Sequence, residues 1–304
     1  MQTICGKCEC NLSEEERVFD DIYNCPNCGL EETRSVYKTN VKEYWGEGID
    51  ASKEGSVLLI KGNGAVKDFP DASNNSQILH GIKVIKIDEG VTSIGRNAFR
   101  GLESLESVHM LGTTSIKKNS FFGCTNLVNV ESPKLEEIGD SAFANCKNLY
   151  YVNLSSVVRI DRCAFKLCKS LKEVHAAKLK TIWYGAFFGC SGISSWDTPE
   201  LSSIGDVALS FCTSLEKLIL PELTVLGENA LECCSSLKLL ETPKLDIIGN
   251  NALLGCVNLG ASNVAKESKM VPIMSKEYTT DFRLVTKESR DTSKMGKFLK
   301  KLFT

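Results

Sequence analysis

The sequence predicts an α/β repeat solenoid of about eight 22-residue coils, whose strands line up in a parallel β-ladder. The prediction rests on apolar positions that recur every 22 residues without insertion. A unit of this length cannot bury its apolar side alone, so stacked units must share a continuous core. The composition, 42% hydrophobic and 24% charged, is ordinary for a soluble globular protein. No apolar run is long enough for a transmembrane helix.

Successive rows of equivalent residues define the repeat. The first row is aliphatic and contains Ile94, Ile116, Ile138, Ile160, Ile182, Ile204, Leu226 and Ile248. Four positions further on is a row of alanines with one serine, followed at once by Phe99, Phe121, Phe143, Phe165, Phe187, Leu209, Leu231 and Leu253. A cysteine row and a leucine row complete the unit.

Each coil contains signals for three kinds of local structure. The alternation in Val152-Asn153-Leu154 predicts a short strand. The Ala-Phe-x-x-Cys stretch spaces its apolar residues by three, which predicts a helical turn or a 3₁₀ segment. Polar pairs such as Thr125-Asn126 predict turns between them. We therefore expect one strand per coil, with neighbouring coils roughly 4.8 Å apart.

The repeat resembles the BspA-like leucine-rich repeats, whose units follow the pattern Ile-Gly-x-x-Ala-Phe-x-x-Cys-x-x-Leu. Residues 138–149 fit this pattern at every position, and the resemblance extends from residue 91 to about residue 260. It implies a curved leucine-rich-repeat solenoid used for adhesion or protein interaction. Many members of this family are exported to the cell surface, whereas the N-terminal residues of this sequence do not form a Sec-type signal peptide.

The chain divides into four expected segments. Residues 1–34 are expected to form a small zinc ribbon, and residues 35–90 a linker and an N-terminal β-hairpin cap. Residues 91–264 are the BspA-like leucine-rich repeats, and residues 265–304 are a basic C-terminal tail or cap. The hairpin is expected from residues 55–66, which look like the hairpin that often opens such arrays, and Gly62-Asn63-Gly64 is interpreted as a hairpin turn.

Two C-x-x-C pairs predict one structural Zn²⁺ ion, bound by Cys5, Cys8, Cys25 and Cys28. The pairs are 16 residues apart, the spacing of a four-cysteine zinc site. A redox pair is the alternative, but no thioredoxin-like βαβ pattern surrounds either pair. Four thiolates leave no open coordination position, so the zinc is expected to be structural rather than catalytic. Cys10 is a surplus thiol that could replace one of the ligands.

The cysteine row of the repeat is interpreted as structural rather than as a metal or disulfide site. Its members are Cys124, Cys146, Cys168, Cys190, Cys212, Cys234 and Cys256. In-register side chains run parallel, so seven cannot all pair, and a straight row cannot surround a tetrahedral ion. We expect free cysteines that act as small hydrophobic residues beside the phenylalanine row. Cys163 and Cys233 are expected to be isolated thiols.

The outward positions of the predicted strands form a candidate protein-binding face. They vary from coil to coil while the inward positions stay apolar, as expected of a solvent-facing or ligand-facing surface. A solvated face without a specific ligand is the alternative. The face comprises Ser107, His109, Asn129, Glu131, Tyr151, Asn153, Glu173, His175, Asp197, Lys217 and Glu241.

Residues 265–304 carry ten basic and five acidic side chains and no repeat. Near their end, Met295, Phe298, Leu299, Leu302 and Phe303 share one helical face surrounded by lysines. This helix could contact a membrane surface or a partner, or it could cap the exposed end of the solenoid. We favour a tail or cap over membrane contact, because one short helix binds membranes weakly.

No catalytic motif is recognised, so the sequence favours a non-enzymatic scaffold that binds an unidentified protein, with the zinc ribbon as a second docking module. No small-molecule substrate is indicated. A cell-surface adhesin and a nucleic-acid-associated regulator led by the ribbon are the alternatives. Residues 1–45 carry nine acidic and five basic side chains, which disfavours contact with phosphate groups. We expect a cytoplasmic protein, with the cell surface as the alternative location.

Overall fold

The computed structural model describes residues 45–69 and 79–260, together with the backbone of short strands outside these ranges. Near the N-terminus, β1 (Thr3–Ile4) pairs with β2 (Asn11–Leu12) in antiparallel orientation. β3 (Arg17–Phe19), β4 (Ile22–Asn24) and β5 (Glu31–Glu32) form an antiparallel group with β4 in the centre. The remaining strands build a parallel β-solenoid.

Each coil of the solenoid contributes two strands, not the single strand expected from the sequence. The strands that open the coils form the first ladder, and the strands that follow about eight residues later form the second ladder. The first ladder contains β7 (Val57–Gly62), β9 (Val84–Ile87), β11 (Ser107–Met110), β13 (Asn129–Glu131), β15 (Tyr151–Val152), β17 (Glu173–His175), β19 (Ser195–Asp197), β21 (Lys217–Ile219), β23 (Leu239–Thr242) and β25 (Asn263–Val264).

The second ladder is one continuous ten-stranded parallel sheet. It contains β8 (Gly64–Ala65), β10 (Val91–Ile94), β12 (Ser115–Ile116), β14 (Glu137–Ile138), β16 (Arg159–Ile160), β18 (Thr181–Ile182), β20 (Ser203–Ile204), β22 (Val225–Leu226), β24 (Ile247–Ile248) and β26 (Lys269–Met270). Equivalent residues pair across neighbouring coils, as Ile116 does with Ile138. The first ladder is divided into three hydrogen-bonded groups, with breaks after β15 and after β19.

A β-hairpin caps the N-terminal end of the solenoid, but it lies upstream of the expected position. β6 (Ile49–Glu54) pairs with β7 in antiparallel orientation, and Gly55 at the turn has a positive φ of 58°. Gly62-Asn63-Gly64 is therefore not a hairpin turn. It is the corner at which the chain passes from β7 in the first ladder to β8 in the second. The segment expected to form the hairpin is thus already a coil of the solenoid.

The third side of each coil, the turn side, contains no helix, so the α part of the α/β assignment is wrong for residues 81–260. Two positions per coil adopt a left-handed conformation, as at Asn97 (φ 56°) and Gly101 (φ 73°) in the first repeat. Each such residue ends one tight turn. Alternate amides donate to the next coil instead of along the chain, as the Phe99 N–H does to the Ser120 carbonyl at 2.8 Å. The apolar spacing of three therefore arises from two successive turns.

The core is a continuous column between the three sides. Phe99, Phe121, Phe143, Phe165 and Phe187 are fully buried, and each ring stacks on the next at centroid distances of 5.1–5.4 Å. This spacing agrees with the rise between hydrogen-bonded strands. Trp45 and Phe99 stack at the N-terminal end, at 5.9 Å. The aromatic column therefore fixes the stacking of the coils and holds the outward surfaces in register.

Candidate functional site

The candidate functional site is the outward side of the first ladder. The inward residue of each strand is buried, as for Val108, Val130 and Val174. Ten of the residues predicted for the binding face lie within these strands, and Asn153 directly follows β15. All of them are half-buried or exposed: Ser107, His109, Asn129, Glu131, Tyr151, Asn153, Glu173, His175, Asp197, Lys217 and Glu241. The ladder thus presents them as two outward rows on one surface.

Polar contacts connect neighbouring coils along these rows. His109 Nδ1 is 2.7 Å from Glu131 Oε2 on the next strand. His175 Nε2 is 3.3 Å from Glu173 Oε2, and its Nδ1 is 3.7 Å from Asp197 Oδ2. All of these side chains are substantially exposed, so such pairs contribute little to the stability of the fold. Their polar atoms lie where a bound molecule could contact them.

An exposed cluster of apolar and aromatic side chains lies at the edge of this face. Val128, Tyr150 and Tyr151 are 46%, 54% and 46% exposed. Val128 and Tyr150 occupy equivalent positions in neighbouring coils, and Tyr151 belongs to the adjoining outward row. Strand alternation predicts Tyr151 as an outward residue, but it assigns neither Val128 nor Tyr150, because each of these lies directly before its strand. Tyrosine is a residue type enriched at protein interfaces.

Lysines lie beside this cluster. Lys147, Lys169 and Lys172 are exposed, and within residues 45–69 and 79–260 none of them forms an ion pair. Lys172 occupies the position that follows Val128 and Tyr150 in the next coil. The edge of the first ladder therefore combines exposed aromatic surface with available positive charge.

A shallow open depression beside β9 and β11 is lined by residues that include Lys86, His109, Leu111 and Glu131. Across the described ranges, no group of three or more His, Cys, Asp or Glu side chains is placed to hold a metal ion. The predicted zinc ligands Cys5, Cys8, Cys25 and Cys28 lie outside the described residues.

Comparison with known proteins identifies the repeat. The family described as "BspA type leucine rich repeat region (6 copies)" matches residues 77–191 and 136–260, which together are more than half of the chain. The chain belongs to this family. The match agrees with the 22-residue registers of both ladders. No curated protein matches the chain.

Several solved structures resemble this BspA-type protein at low sequence identity. A leucine-rich repeat protein from Bacteroides ovatus is 20% identical, with a TM-score of 0.45, and the match covers 84% of this chain and 78% of that chain. One from Eubacterium ventriosum is 17% identical, with a TM-score of 0.35, covering 73% and 84%. A leucine rich cell surface protein from Faecalibacterium prausnitzii is 15% identical, with a TM-score of 0.27, covering 72% and 93%.

The cysteine row of the BspA-type repeats is structural, as expected. All seven cysteines are free, and six are fully buried. Each thiol donates a hydrogen bond to the carbonyl of the phenylalanine-row residue in the preceding coil, as Cys168 Sγ does to Phe143 O at 3.1 Å. Burial raises the pKa of the Cys146 and Cys168 thiols well above the ordinary value. The row thus consists of neutral thiols that satisfy carbonyl groups inside the core.

A second outward surface, which the strand pattern does not predict, lies on the turn side. On the turn side, Tyr184 and Phe211 are 38% and 41% exposed, and Phe188 and Phe211 pack edge to face with ring centroids 5.5 Å apart. In the sequence, Phe211 occupies a position of the repeat that is glycine in other coils, such as Gly123. This difference indicates an exposed side chain only when the left-handed backbone of that position is known.

Proposed function

We propose that this BspA-type protein is a non-enzymatic protein-binding scaffold that uses the outward face of the first ladder. One observation carries the proposal: the outward rows change in charge, size and polarity from coil to coil, whereas the inward rows of the same strands stay apolar and buried. A surface that served only solubility would not need the exposed Tyr150 and Tyr151 beside Lys172. Family membership fits a role in protein interaction or adhesion.

Variants on this face provide the test. Affinity capture with the full-length chain should retain a partner that is lost in the Tyr150→Ala/Tyr151→Ala variant and in the Glu131→Lys/Asp197→Lys variant. Val158→Ala is the control for the loss of exposed apolar surface, because Val158 is 46% exposed, as Tyr151 is, but lies directly before β16 of the second ladder. Equal retention by wild type and by both face variants would refute the use of this face. Circular dichroism should show that the variants keep the native fold.

The zinc ribbon is proposed as a second docking module. Its support is the spacing of the two C-x-x-C pairs, together with too few residues to form a core without a metal. The predicted ligands are Cys5, Cys8, Cys25 and Cys28, which would hold one Zn²⁺ ion with no open position. Elemental analysis of the full-length protein should find about one zinc ion per chain, and Cys25→Ser should lower this value. Zinc-free protein isolated under reducing conditions would rule the site out.

Two locations fit the proposed role. We propose a cytoplasmic scaffold as the first, and a cell-surface adhesin as the alternative that family membership supports. In the described ranges, no helix is long and apolar enough to cross a membrane. Proteolysis of intact cells distinguishes the two, since a surface adhesin would be cleaved without cell lysis and a cytoplasmic scaffold would be protected.

A further inference from the structure

The turn side of the solenoid contains an apolar patch that the first-ladder function does not use. We define the turn-side patch as Leu167, Tyr184, Phe188, Val207 and Phe211. The patch spans neighbouring coils: Leu167 lies over Gly189, Val207 lies over Gly185, and the rings of Phe188 and Phe211 pack edge to face with centroids 5.5 Å apart. Contiguous exposed apolar surface with a polar rim is typical of an interaction site.

Three members of the turn-side patch adopt a left-handed backbone that bulky residues normally avoid. The φ angles of Leu167, Val207 and Phe211 are 63°, 50° and 61°. For a β-branched or bulky residue such a conformation is an outlier and costs about 1–3 kcal/mol. Glycine occupies the same position as Phe211 in other coils, so the fold itself does not require an aromatic residue there. The strained backbone at Phe211 therefore carries an aromatic side chain that the solenoid leaves partly exposed.

Charged side chains border the turn-side patch with opposite signs at its two ends. In the first coil of the patch, which contains Leu167, the Arg162 guanidinium lies 5.6 Å from the Tyr184 ring centroid and the Lys166 ammonium lies 5.4 Å from that of Phe188. The equivalent positions in the coil after the patch are Glu228 and Glu232. Neither glutamate forms an ion pair within the described part of the solenoid.

We propose that the turn-side patch is the interface of a symmetric dimer of this chain. A twofold axis that lies in the interface, perpendicular to the solenoid axis and between the coils of Gly185 and Val207, would set the two solenoids antiparallel. Arg162 and Glu228 are three coils apart, at equal distances on either side of this axis. The symmetry therefore brings Arg162 of each chain opposite Glu228 of the other, and Lys166 opposite Glu232. Such a self-complementary patch is what an isologous interface requires.

The same axis also brings apolar side chains of the two chains together. Phe211 of one chain lies opposite Gly189 of the other, because these residues occupy the same row in the two coils exchanged by the axis. Val207 lies opposite Gly185 for the same reason. Within each chain Leu167 lies over Gly189 and Val207 lies over Gly185. Phe211 of one chain would therefore meet Leu167 of the other, and the two Val207 side chains would meet each other. The charge pairs and the apolar contacts indicate the same register, which favours a second copy of this chain over an unrelated partner.

Charge reversal tests the dimer in full-length protein under reducing conditions. Sedimentation velocity should show a dimer for the wild type, whereas Lys166→Glu and Glu232→Lys should each weaken it about tenfold or more, because both symmetric pairs become repulsive. A mixture of the two variants should form a heterodimer, since both of its pairs join opposite charges. Lys178→Glu makes the same charge change on an exposed residue between β17 and β18, away from the turn side, and should leave the dimer intact.

Other outcomes would overturn the proposal. A wild type that stays monomeric up to about 100 µM would mean that the surface does not self-associate at a useful affinity. A dimer that persists in Lys166→Glu would place the contact elsewhere. Monomeric behaviour of the mixed variants, with each variant folded by circular dichroism, would contradict the proposed register. These results do not test the first-ladder face, so the proposed scaffold function and the proposed dimer can fail independently.

Discussion

The buried cysteine row should make the solenoid sensitive to alkaline pH. Burial raises the pKa of the Cys146, Cys168, Cys212 and Cys234 thiols, because a thiolate would lose its hydration in the apolar core. In the unfolded chain the same thiols ionise with a pKa of about 8.5. The folded-state pKa lies above the unfolded one. Each thiol's contribution to stability is therefore complete below about pH 8.5 and is lost as the pH rises towards the folded-state pKa.

The size of the effect follows from the number of thiols. Between about pH 7.5 and about pH 9.5, an unfolded thiol passes from roughly one-tenth to roughly nine-tenths ionised, which lowers the free energy of unfolding by about 1.4 kcal/mol. Four thiols that stay protonated in the fold lower it by about 5.5 kcal/mol. A typical domain has a total stability of about 5–15 kcal/mol. The loss is therefore large enough to move the unfolding midpoint strongly.

Urea unfolding at a series of pH values, followed by far-UV circular dichroism in reducing buffer, measures this loss. The matched control is Cys168→Ala, which removes one buried thiol but keeps every tyrosine and lysine. The variant should be less stable at neutral pH because it leaves a small cavity. Its stability should nevertheless fall by about 1.4 kcal/mol less than that of the wild type over the same pH interval. An identical pH dependence in the two proteins would refute the reasoning.

Three further predictions concern the core, the turn side and thiol access. Phe143→Leu should cost about 1–2 kcal/mol in urea unfolding and Phe143→Ala about 3–5 kcal/mol, because leucine already fills this row in three coils; equal costs would mean that the ring stack, not the volume, holds the coils together. Phe211→Gly should change the free energy of unfolding by less than about 1 kcal/mol, since relief of the left-handed strain offsets the lost ring contact, and a loss of several kcal/mol would show that the ring is part of the core. In native protein, mass spectrometry after brief alkylation should find Cys163 modified before Cys168, because Cys163 is partly exposed and Cys168 is fully buried; the reverse order would mean that the coils open locally.

The inward side of the fold could be predicted from the sequence because its period is visible in single residues. Ile138, Phe143 and Cys146 belong to rows that repeat every 22 residues, and all three are fully buried. The other elements could not be predicted, because their sequence signals extend over only two or three residues. A strand of two residues such as β12 is too short to show alternation, so the second ladder was missed. An apolar spacing of three fits a helical turn as well as two tight turns, so the backbone of the turn side was assigned wrongly.

The outward surfaces were predictable only where the strand alternation is clear. That alternation places Glu131 and His175 on the outside of the first ladder, where the structure has them. Tyr150 could not be predicted as outward, because it lies one residue before β15, where the inward and outward alternation of the strand does not apply. The turn-side patch could not be predicted for another reason. The charges of Arg162 and Glu228 form a pattern only when the 22-residue repeat is known to place both residues on the turn side.

Because the backbone of the repeat is regular, a residue that departs from the repeat pattern can indicate a function. Gly101 and Gly123 show that the second left-handed position of a coil is satisfied by a residue without a side chain. Leu167 and Phe211 fill the same position at a conformational cost of about 1–3 kcal/mol each, and Phe211 remains 41% exposed. Backbone preference does not account for these two residues, since glycine would serve the backbone better. Association, as in the proposed dimer, would account for Phe211, because it would bury the part of the ring that the solenoid leaves exposed.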